Sequence, residues 1–237
     1  MKPVVKRFAT IDTLSRAAAD QLAMLASRGP CNVALSGGST PKRMFQLLAE
    51  RGPKAMAWGD VDLWWGDERC VPPDHPDSNY GMTKANLIDP LGLDLDNIHR
   101  IQGELDPDIA ASNYAKALQV DLGTPPVFDL ALLGMGPDGH CASLFPGSPG
   151  LDETEHYVIA NRVDSPLTKG PATRITLTFP ALAAAKRVIF LVAGADKANT
   201  LQKVLEGPPG VYPSQRVAAR DITWFVDDAA AAKLGAK

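Results

Sequence analysis

Several features that direct a protein to a membrane, a nucleic acid or an oxidising compartment are missing from this sequence. No apolar run approaches the roughly 18 residues that a membrane-spanning helix needs, and the first residues lack the apolar core of a signal peptide. Lysine and arginine form no block and the net charge is −3, so we expect neither a nucleic acid nor a membrane as a partner. The 3 widely spaced cysteines argue against a disulfide framework and favour a cytoplasmic location.

Motifs for metal binding and covalent catalysis are also missing. The sequence has no H-E-x-x-H, no paired C-x-x-C and no carboxylate-rich calcium loop, and we therefore expect no metal ion. It has no G-x-S-x-G nucleophile elbow, which disfavours a serine hydrolase. Cys141 directly follows His140, and a cysteine nucleophile at this position stays open as a minor alternative.

What the chain does contain is an alternation of apolar runs and helical patterns. Its 237 residues, 45% hydrophobic and 22% charged, fit one large α/β domain, which we expect to span residues 1–237. Apolar strands between amphipathic helices predict a doubly wound, mostly parallel, Rossmann-like sheet with helices on both faces. The predicted strands are 31–35, 61–65, 128–133, 174–179, 187–193 and 222–226, with a further candidate at 157–160. The predicted helices are 10–27, 41–50, 78–88, 108–122, 180–185, 196–205 and 227–234.

The segment 134–147, GMGPDGHCASLFPG, carries the most distinctive chemistry of the chain. It follows a buried strand, and the carboxyl ends of strands are where α/β sheets bind ligands. Asp138 and His140 are close enough for the carboxylate to orient the imidazole, and a histidine held there suits proton transfer near neutral pH. A hydrogen-bonded loop histidine without a catalytic role is the alternative.

The same segment satisfies the dinucleotide fingerprint G-x-G-x-x-G through Gly134, Gly136 and Gly139. That fingerprint requires a helix whose start holds the pyrophosphate. Pro146 and Pro149 would break such a helix within about two turns. The acidic residue expected roughly 20 residues later is missing as well. The pattern therefore disfavours nucleotide binding at this loop.

A second loop, LSGGSTP at 35–41, follows a buried strand and opens a helix. Gly37 and Gly38 allow a ligand to approach the backbone, and Ser39 and Thr40 offer hydroxyl groups. The helix start also offers unpaired N–H groups, and together these features suit a phosphate dianion. A tight turn with a Ser or Thr cap is the alternative.

Charged residues stand at the ends of further strands. Asp67, Glu68 and Arg69 would bring two carboxylates and one cation to the ligand edge of the sheet, and Arg69 can bind phosphate through its fork of donors. Arg174 begins a strand. Lys197 lies at a strand–turn–helix junction, where its charge opposes the helix dipole and needs another reason, of which holding an anion is one. The alternatives are a local ion pair in the first group and a solvent-exposed Lys197.

Four segments, in this order, resemble one family of enzymes. They are LSGGSTP (35–41), WWGDERCVPPDHPDSNYGM (64–82), LLGMGPDGHCASLFPG (132–147) and RITLTFPALAAAKRVIFLVAGADKANTLQKVLEG (174–207). The chain resembles the 6-phosphogluconolactonases, which share a superfamily with glucosamine-6-phosphate deaminase/isomerase. The resemblance covers nearly the whole chain and implies a modified Rossmann-like fold. It also implies cofactor-free hydrolysis of 6-phospho-D-glucono-1,5-lactone to 6-phosphogluconate, the second step of the oxidative pentose phosphate pathway.

The resemblance also implies roles for individual residues. His140 would be the general base that activates water, and Asp138 would support it. The implied phosphate and sugar pocket consists of Gly37, Gly38, Ser39, Thr40, Arg69, Arg174 and Lys197. Asp67 stands where the related deaminases carry a proton-transfer aspartate, and we group it with the substrate-binding residues.

The His140 loop distinguishes the lactonases from the deaminases. The deaminases typically read GHIAFNEP there, with a functional glutamate before the proline, whereas this chain has Phe145 at that position. The difference disfavours a sugar-phosphate isomerase or deaminase. A non-catalytic sugar-phosphate sensor is a further alternative, although a sensor has no need of the Asp138–His140 pair. We expect a monomer, or else a weak homodimer, with a sugar-phosphate lactone as its small-molecule partner.

Overall fold

The computed structural model describes residues 3–168 and 170–235 of the chain. Within these ranges, strands and helices alternate along the sequence. The strands are β1 (Val4–Phe8), β2 (Cys31–Leu35), β3 (Val61–Trp65), β4 (Asp67–Arg69), β5 (Ile98–His99), β6 (Leu130–Leu133), β7 (Val158–Ser165), β8 (Gly170–Leu177), β9 (Val188–Val192) and β10 (Ile222–Asp227). The helices are α1 (Ile11–Ala26), α2 (Ser39–Glu50), α3 (Asn79–Thr83), α4 (Asp89–Leu91), α5 (Pro107–Leu122), α6 (Phe179–Ala184) and α7 (Ala198–Glu206). A π-helical turn, Lys84–Ile88, joins α3 to α4.

Seven parallel strands form the main sheet, in the order β1-β10-β9-β6-β2-β3-β5. From β2 the chain moves outwards through β3 to β5, and from β6 it moves in the opposite direction through β9 to β10. The winding direction therefore reverses between β2 and β6. Such a switch point opens a crevice at the carboxyl ends of the strands. The arrangement confirms the predicted doubly wound, mostly parallel fold.

Both faces of the main sheet are covered, as its uninterrupted apolar strands predict. Every residue of β6 and β9 is buried. On β3, Trp64 and Trp65 are completely buried. The Tyr114 hydroxyl on α5 accepts a hydrogen bond from the backbone N–H of Trp65 at 2.8 Å and donates to its carbonyl at 2.9 Å. This contact fixes α5 against the strand that leads to β4.

A second, antiparallel sheet of order β4-β8-β7 lies beside the main one, and the sequence did not predict it. The predicted strand 174–179 overlaps the end of β8 and belongs to this small sheet. The short candidate at 157–160 is the beginning of the longer strand β7. β7 and β8 pair with each other as a hairpin, and β8 also pairs with β4. Neither strand pairs with the apolar strands of the main sheet.

The predicted helix at 227–234 is wrong. The residues after β10 form successive turns. The Asp227 carboxylate accepts hydrogen bonds from the N–H of Ala230 at 2.7 Å and from the N–H of Gly194 at 3.1 Å. A segment this short is not held helical by the propensity of its alanines, and the Asp227 carboxylate ties it to the neighbouring strand end instead.

The remaining predicted strands and helices are present, with ends displaced by a few residues. The helix predicted at 196–205 begins as a 3-10 turn, Ala195–Lys197, and continues as α7. Among the described residues, no helix combines the length and the apolar character that spanning a membrane requires.

Candidate active site

A cavity of about 310 Å³ lies at the switch point between β2 and β6. It is lined by the segments that follow β2, β3, β6 and β9, which is the edge where such sheets bind ligands. The predicted site residues that line it are Gly37, Gly38, Ser39, Thr40, Asp67, Arg69, His140, Arg174 and Lys197. Asp138 is hydrogen bonded to His140. The structure therefore brings all of the predicted site residues together.

The loop between β2 and α2 presents the start of a helix to the cavity. Gly38 is the N-cap of α2 and has a φ of 106°, which L side chains rarely adopt. No side chain in the described ranges caps this helix, so the alternative of a Ser or Thr cap is wrong. The first backbone N–H groups of α2 keep their hydrogen-bonding capacity, and with the helix dipole they favour an anion.

Gly37 permits a close contact between this loop and α3. A Cβ on Gly37 would lie 1.9 Å from Asn79 Oδ1, so a side chain there would displace Asn79. The Asn79 amide donates to the carbonyl of Asp67 at 2.9 Å and lies 3.4 Å from its carboxylate oxygen Oδ1. Asn79 thus connects the loop to β4, and it is a site residue that the sequence analysis missed.

Two arginines lie opposite one another across the β4–β8 ladder. The register pairs Arg69 with Arg174, and both line the cavity. Arg69 donates to the carbonyl of Asp77 and Arg174 to that of Thr173, so within the described ranges neither guanidinium has a carboxylate partner. Burial lowers the pKa of Arg174, and the like charge of Arg69 lowers it further. Because opposed like charges destabilise a sheet, an anion bound in the cavity would relieve this repulsion.

Glu68 does not face the cavity, which corrects the expectation that both carboxylates of this segment reach the ligand edge. Its oxygens accept hydrogen bonds at 2.7 to 3.0 Å from Arg69 N, Ser78 Oγ, Asn79 N and Tyr80 N. Burial raises the pKa of Glu68, and the backbone donors oppose that rise. The side chain therefore holds the first turn of α3 against β4.

His140 and Asp138 form a close hydrogen-bonded pair on the loop that follows β6. His140 Nδ1 lies 2.6 Å from Asp138 Oδ1, and the backbone N–H of His140 donates to the same oxygen at 3.1 Å. A carboxylate at this nitrogen selects the tautomer that carries its proton on Nδ1. That tautomer leaves a lone pair on Nε2, and the ring lines the cavity with 20% of the side chain exposed.

Tight packing fixes the plane of the imidazole. The Phe145 ring stacks on it, with ring centroids 3.9 Å apart and an angle of 22°. A Cβ on Gly136 would lie 2.1 Å from His140 Nδ1, and a Cβ on Gly139 would lie 2.5 Å from the Tyr212 ring. Gly136 and Gly139, which belong to the dinucleotide fingerprint, therefore leave room for the side chains of His140 and Tyr212. The fingerprint also requires a long helix after the glycines, but a tight turn at 141–144 follows them.

The environment of Asp138 favours its ionised form. Burial would raise the pKa of Asp138, but the hydrogen bond and charge of the His140 ring, with backbone N–H groups, lower it below its ordinary value. An ionised Asp138 stabilises the imidazolium that forms when Nε2 takes a proton. The geometry of the pair is compatible with proton transfer at Nε2.

Lys197 extends from the turn that links β9 to α7. Its Nζ lies 2.9 Å from Asp196 Oδ2, and 21% of the side chain is exposed, so the alternative of a freely solvated lysine is wrong. The turn is fixed by Asp227, whose two oxygens accept the Gly194 N–H at 3.1 and 3.2 Å. The cation therefore stands on a rigid turn at the wall of the cavity.

Cys141 is not placed to act as a nucleophile. Its side chain is buried, with 1% of the residue exposed, and burial raises the pKa of the thiol far above its ordinary value. The reactive thiolate is therefore suppressed. Among the described residues, no group of three His, Cys, Asp or Glu side chains is arranged to hold a metal ion.

Ser143 is a second site residue that the sequence analysis missed. Its hydroxyl donates to Asp67 Oδ2 at 2.7 Å across a separation of 76 residues. A contact over that separation leaves no periodic signal in the sequence. The available hint is that both residues lie within segments that carry the family resemblance.

Residues 8–225 match the sequence profile of the family described as glucosamine-6-phosphate isomerases/6-phosphogluconolactonase. The chain belongs to this family. It is 38% identical over 207 residues to a Haemophilus influenzae protein named 6-phosphogluconolactonase. The aligned region covers 85% of this chain and 86% of the relative. A Rattus norvegicus protein of the same name is 41% identical over 217 residues, covering 88% of this chain and 82% of the relative.

A solved structure of 6-phosphogluconolactonase from Trypanosoma cruzi shares the fold. Its TM-score to this chain is 0.86 at 29% identity, with 99% of this chain and 98% of that chain covered. The agreement over nearly the full length confirms the predicted fold class and the family resemblance.

Proposed function

We propose that this protein hydrolyses 6-phospho-D-glucono-1,5-lactone to 6-phospho-D-gluconate, the second step of the oxidative pentose phosphate pathway. The observation that carries the proposal is the Asp138–His140 pair, 2.6 Å apart, in a cavity that also holds opposed arginines and an uncapped helix start. A general base and an anion site in one cavity suit a substrate with an ester carbonyl and a phosphate. The relatives named 6-phosphogluconolactonase support the same substrate.

The phosphate binds to the cationic part of the cavity. Arg69 and Arg174 supply fork-shaped donors, Lys197 supplies a point charge, and the start of α2 supplies backbone N–H groups. Binding the phosphate at a distance from the reacting carbon fixes the orientation of the lactone. The residues proposed to hold the phosphate and the sugar are Gly37, Gly38, Ser39, Thr40, Asp67, Arg69, Arg174 and Lys197.

His140 acts first as a general base and then as a general acid. Its Nε2 takes a proton from water while the water oxygen bonds to C1 of the lactone, and the carbonyl oxygen becomes an oxyanion. As the bond between C1 and the ring oxygen breaks, Nε2 returns the proton to the ring oxygen. The products are a carboxylic acid, which ionises, and a free hydroxyl group. Such acid–base assistance contributes about 10²- to 10⁴-fold to the rate.

Two further groups stabilise charge during the reaction. The ionised Asp138 carboxylate stabilises the imidazolium form of His140 between the two proton transfers. The oxyanion requires hydrogen-bond donors, and the backbone N–H groups of the glycine loops or a nearby cation can supply them.

Phe145 argues against isomerase or deaminase chemistry. It occupies the position at which the related deaminases have a functional glutamate, and its ring stacks on His140. This face of the imidazole therefore contacts an apolar ring rather than a carboxylate, which leaves His140 with Asp138 as its acidic neighbour.

We also propose that residues 1–237 form one domain, and that the protein is a cytoplasmic monomer or weak homodimer. A single hydrophobic cluster links strands and helices from both ends of the described chain, which supports one domain. The free Cys31, Cys70 and Cys141 suit a reducing compartment.

The test is the decay of freshly generated 6-phosphogluconolactone at mildly acidic pH, where spontaneous hydrolysis is slow. Purified protein should accelerate the decay in proportion to its concentration, and it should leave glucosamine 6-phosphate unchanged. Turnover of glucosamine 6-phosphate without lactone hydrolysis would point to the isomerase. Calorimetric binding of 6-phosphogluconate without any turnover would point to a sensor, and either result would contradict the proposal.

A further inference from the structure

Asp67 is a buried carboxylate with two hydrogen-bond donors and free acceptor capacity. It lines the cavity, with 8% of the residue exposed. Ser143 Oγ donates to Oδ2 at 2.7 Å, and Asn79 Nδ2 lies 3.4 Å from Oδ1. No ion pair among the described residues includes Asp67, although its charge raises the pKa of the neighbouring Arg174, which burial lowers. Because a carboxylate has about four lone-pair sites, each oxygen keeps acceptor capacity for a ligand.

Hydrogen bonds of the Ser143 backbone fix the position of this residue and its hydroxyl group. Ser143 N donates to Thr176 Oγ1 at 3.1 Å, and its carbonyl accepts from Asn161 Nδ2 at 2.8 Å. Thr176 is the cross-strand partner of Asp67 in the β4–β8 ladder, so one rung of the sheet positions both Asp67 and Ser143. The preceding Ala142 has a φ of 47°, a conformation that persists in a non-glycine residue only where the surroundings impose it.

We propose that Asp67 binds two adjacent hydroxyl groups of the sugar ring and that Ser143 is the positioning residue for this contact. By donating its proton to Oδ2, Ser143 fixes the rotation of the carboxylate and leaves one acceptor site on each oxygen for the ligand. Two oxygens of one carboxylate accept a pair of donors in a fork geometry. The inference rests on the proposed function, because that function supplies a hydroxylated substrate.

Ser148 offers a matched control on the same loop. Both serines are buried, and Asn161 Nδ2 donates to the backbone carbonyl of Ser143 and to the hydroxyl of Ser148. The Ser148 hydroxyl donates to the carbonyl of Phe145 at 2.8 Å rather than to Asp67. Removal of either hydroxyl therefore takes one buried donor from the loop, whereas only removal of the Ser143 hydroxyl releases the Asp67 carboxylate.

The first experiment compares Ser143→Ala and Ser148→Ala with the parent protein. Ser143→Ala should raise KM for the lactone about tenfold and weaken binding of 6-phosphogluconate by a similar factor. Its kcat should stay within about threefold, because the contact contributes equally to ground state and transition state. Binding of inorganic phosphate, which reports on the cationic part alone, should not change. Ser148→Ala should leave all of these quantities within about twofold.

A double-mutant cycle tests whether the effect passes through Asp67. Asp67→Asn should itself raise KM, and adding Ser143→Ala in that background should change KM by less than about twofold, since the two residues act as one unit. If Ser143→Ala does not fold, Ser143→Cys replaces it, because it retains a weaker donor of similar size. That variant should give a smaller rise in KM with the same unchanged phosphate binding.

Three results would overturn the inference. They are an unchanged KM and product affinity in Ser143→Ala, an equal loss of product and phosphate binding, and an effect of Ser148→Ala as large as that of Ser143→Ala. Failure of the proposed function is a separate result. If the parent does not hydrolyse the lactone, the binding measurements with 6-phosphogluconate and phosphate still decide the role of Ser143.

Discussion

At the residue scale, the site contains side chains whose placement lowers the stability of the fold. Arg69 and Arg174 oppose each other on neighbouring strands, and Ala142 has a positive φ of 47°. Lys197 stands at the start of α7, where a cation opposes the helix dipole, and the Asp196 carboxylate 2.9 Å away offsets part of that cost. A bound anion would explain the placement of the cations, and the placement of Ser143 explains the backbone of Ala142. Locally unfavourable placements of this kind are expected at functional sites.

Replacement of Arg174 by Gln should separate stability from substrate binding. Removing one of two opposed cations relieves repulsion, so we expect the melting temperature to stay equal or rise. Loss of a charged donor to the phosphate should raise KM about 10-fold or more. Arg162→Gln, at an exposed position of the adjacent strand β7, is the control and should change neither quantity. A lower melting temperature with an unchanged KM would show that Arg174 is structural.

The lowered pKa of Asp138 predicts a pH dependence of stability. Because the pKa is lower in the folded protein than in the unfolded chain, ionised Asp138 stabilises the fold above the ordinary carboxyl range. That contribution is lost as the pH falls through the lowered value. In urea unfolding, the stability difference between the protein and Asp138→Asn should be larger at about pH 7 than at about pH 3. A difference that does not vary with pH would contradict this assignment.

At the scale of single elements, the strand–loop–helix junctions were predictable and the small sheet was not. The loops after β2 and β6 carry their signals locally, in glycines that directly follow apolar runs. β4 has three residues, and its partner β8 is far away in the sequence, so no periodic pattern marks the pair. The alanines after β10 suggest a helix, but the Asp227 carboxylate fixes that segment through tertiary hydrogen bonds.

The two glycines at the beginning of the β6 loop provide a prediction about this element. A Cβ on Gly136 would lie 2.1 Å from His140 Nδ1, whereas a Cβ on Gly134 would meet Ser36 Oγ only at 3.7 Å. Gly136→Ala should therefore displace the imidazole from Asp138 and reduce kcat by about 10²-fold or more. Gly134→Ala should retain most of the activity. Steady-state kinetics of both variants provides the check, and equal activities would contradict the proposed packing of the ring.

At the scale of the whole molecule, the topology determines where the chemistry lies. The winding direction reverses between β2 and β6, and the two loops that contain the helix start and the Asp138–His140 pair follow these two strands. The order of the elements in the sequence indicated this edge of the sheet. The register that brings Arg69 to Arg174, and the contact between Ser143 and Asp67, depend on the folded chain and were not predictable from local pattern.

The most direct test of the mechanism compares the protein with His140→Ala in the hydrolysis of freshly generated 6-phosphogluconolactone at mildly acidic pH. The variant should still unfold cooperatively and keep the affinity for inorganic phosphate. Its kcat should fall by at least about 10²-fold, because water then has no general base. Turnover by His140→Ala at the rate of the unmodified protein would contradict the assignment of His140 as that base.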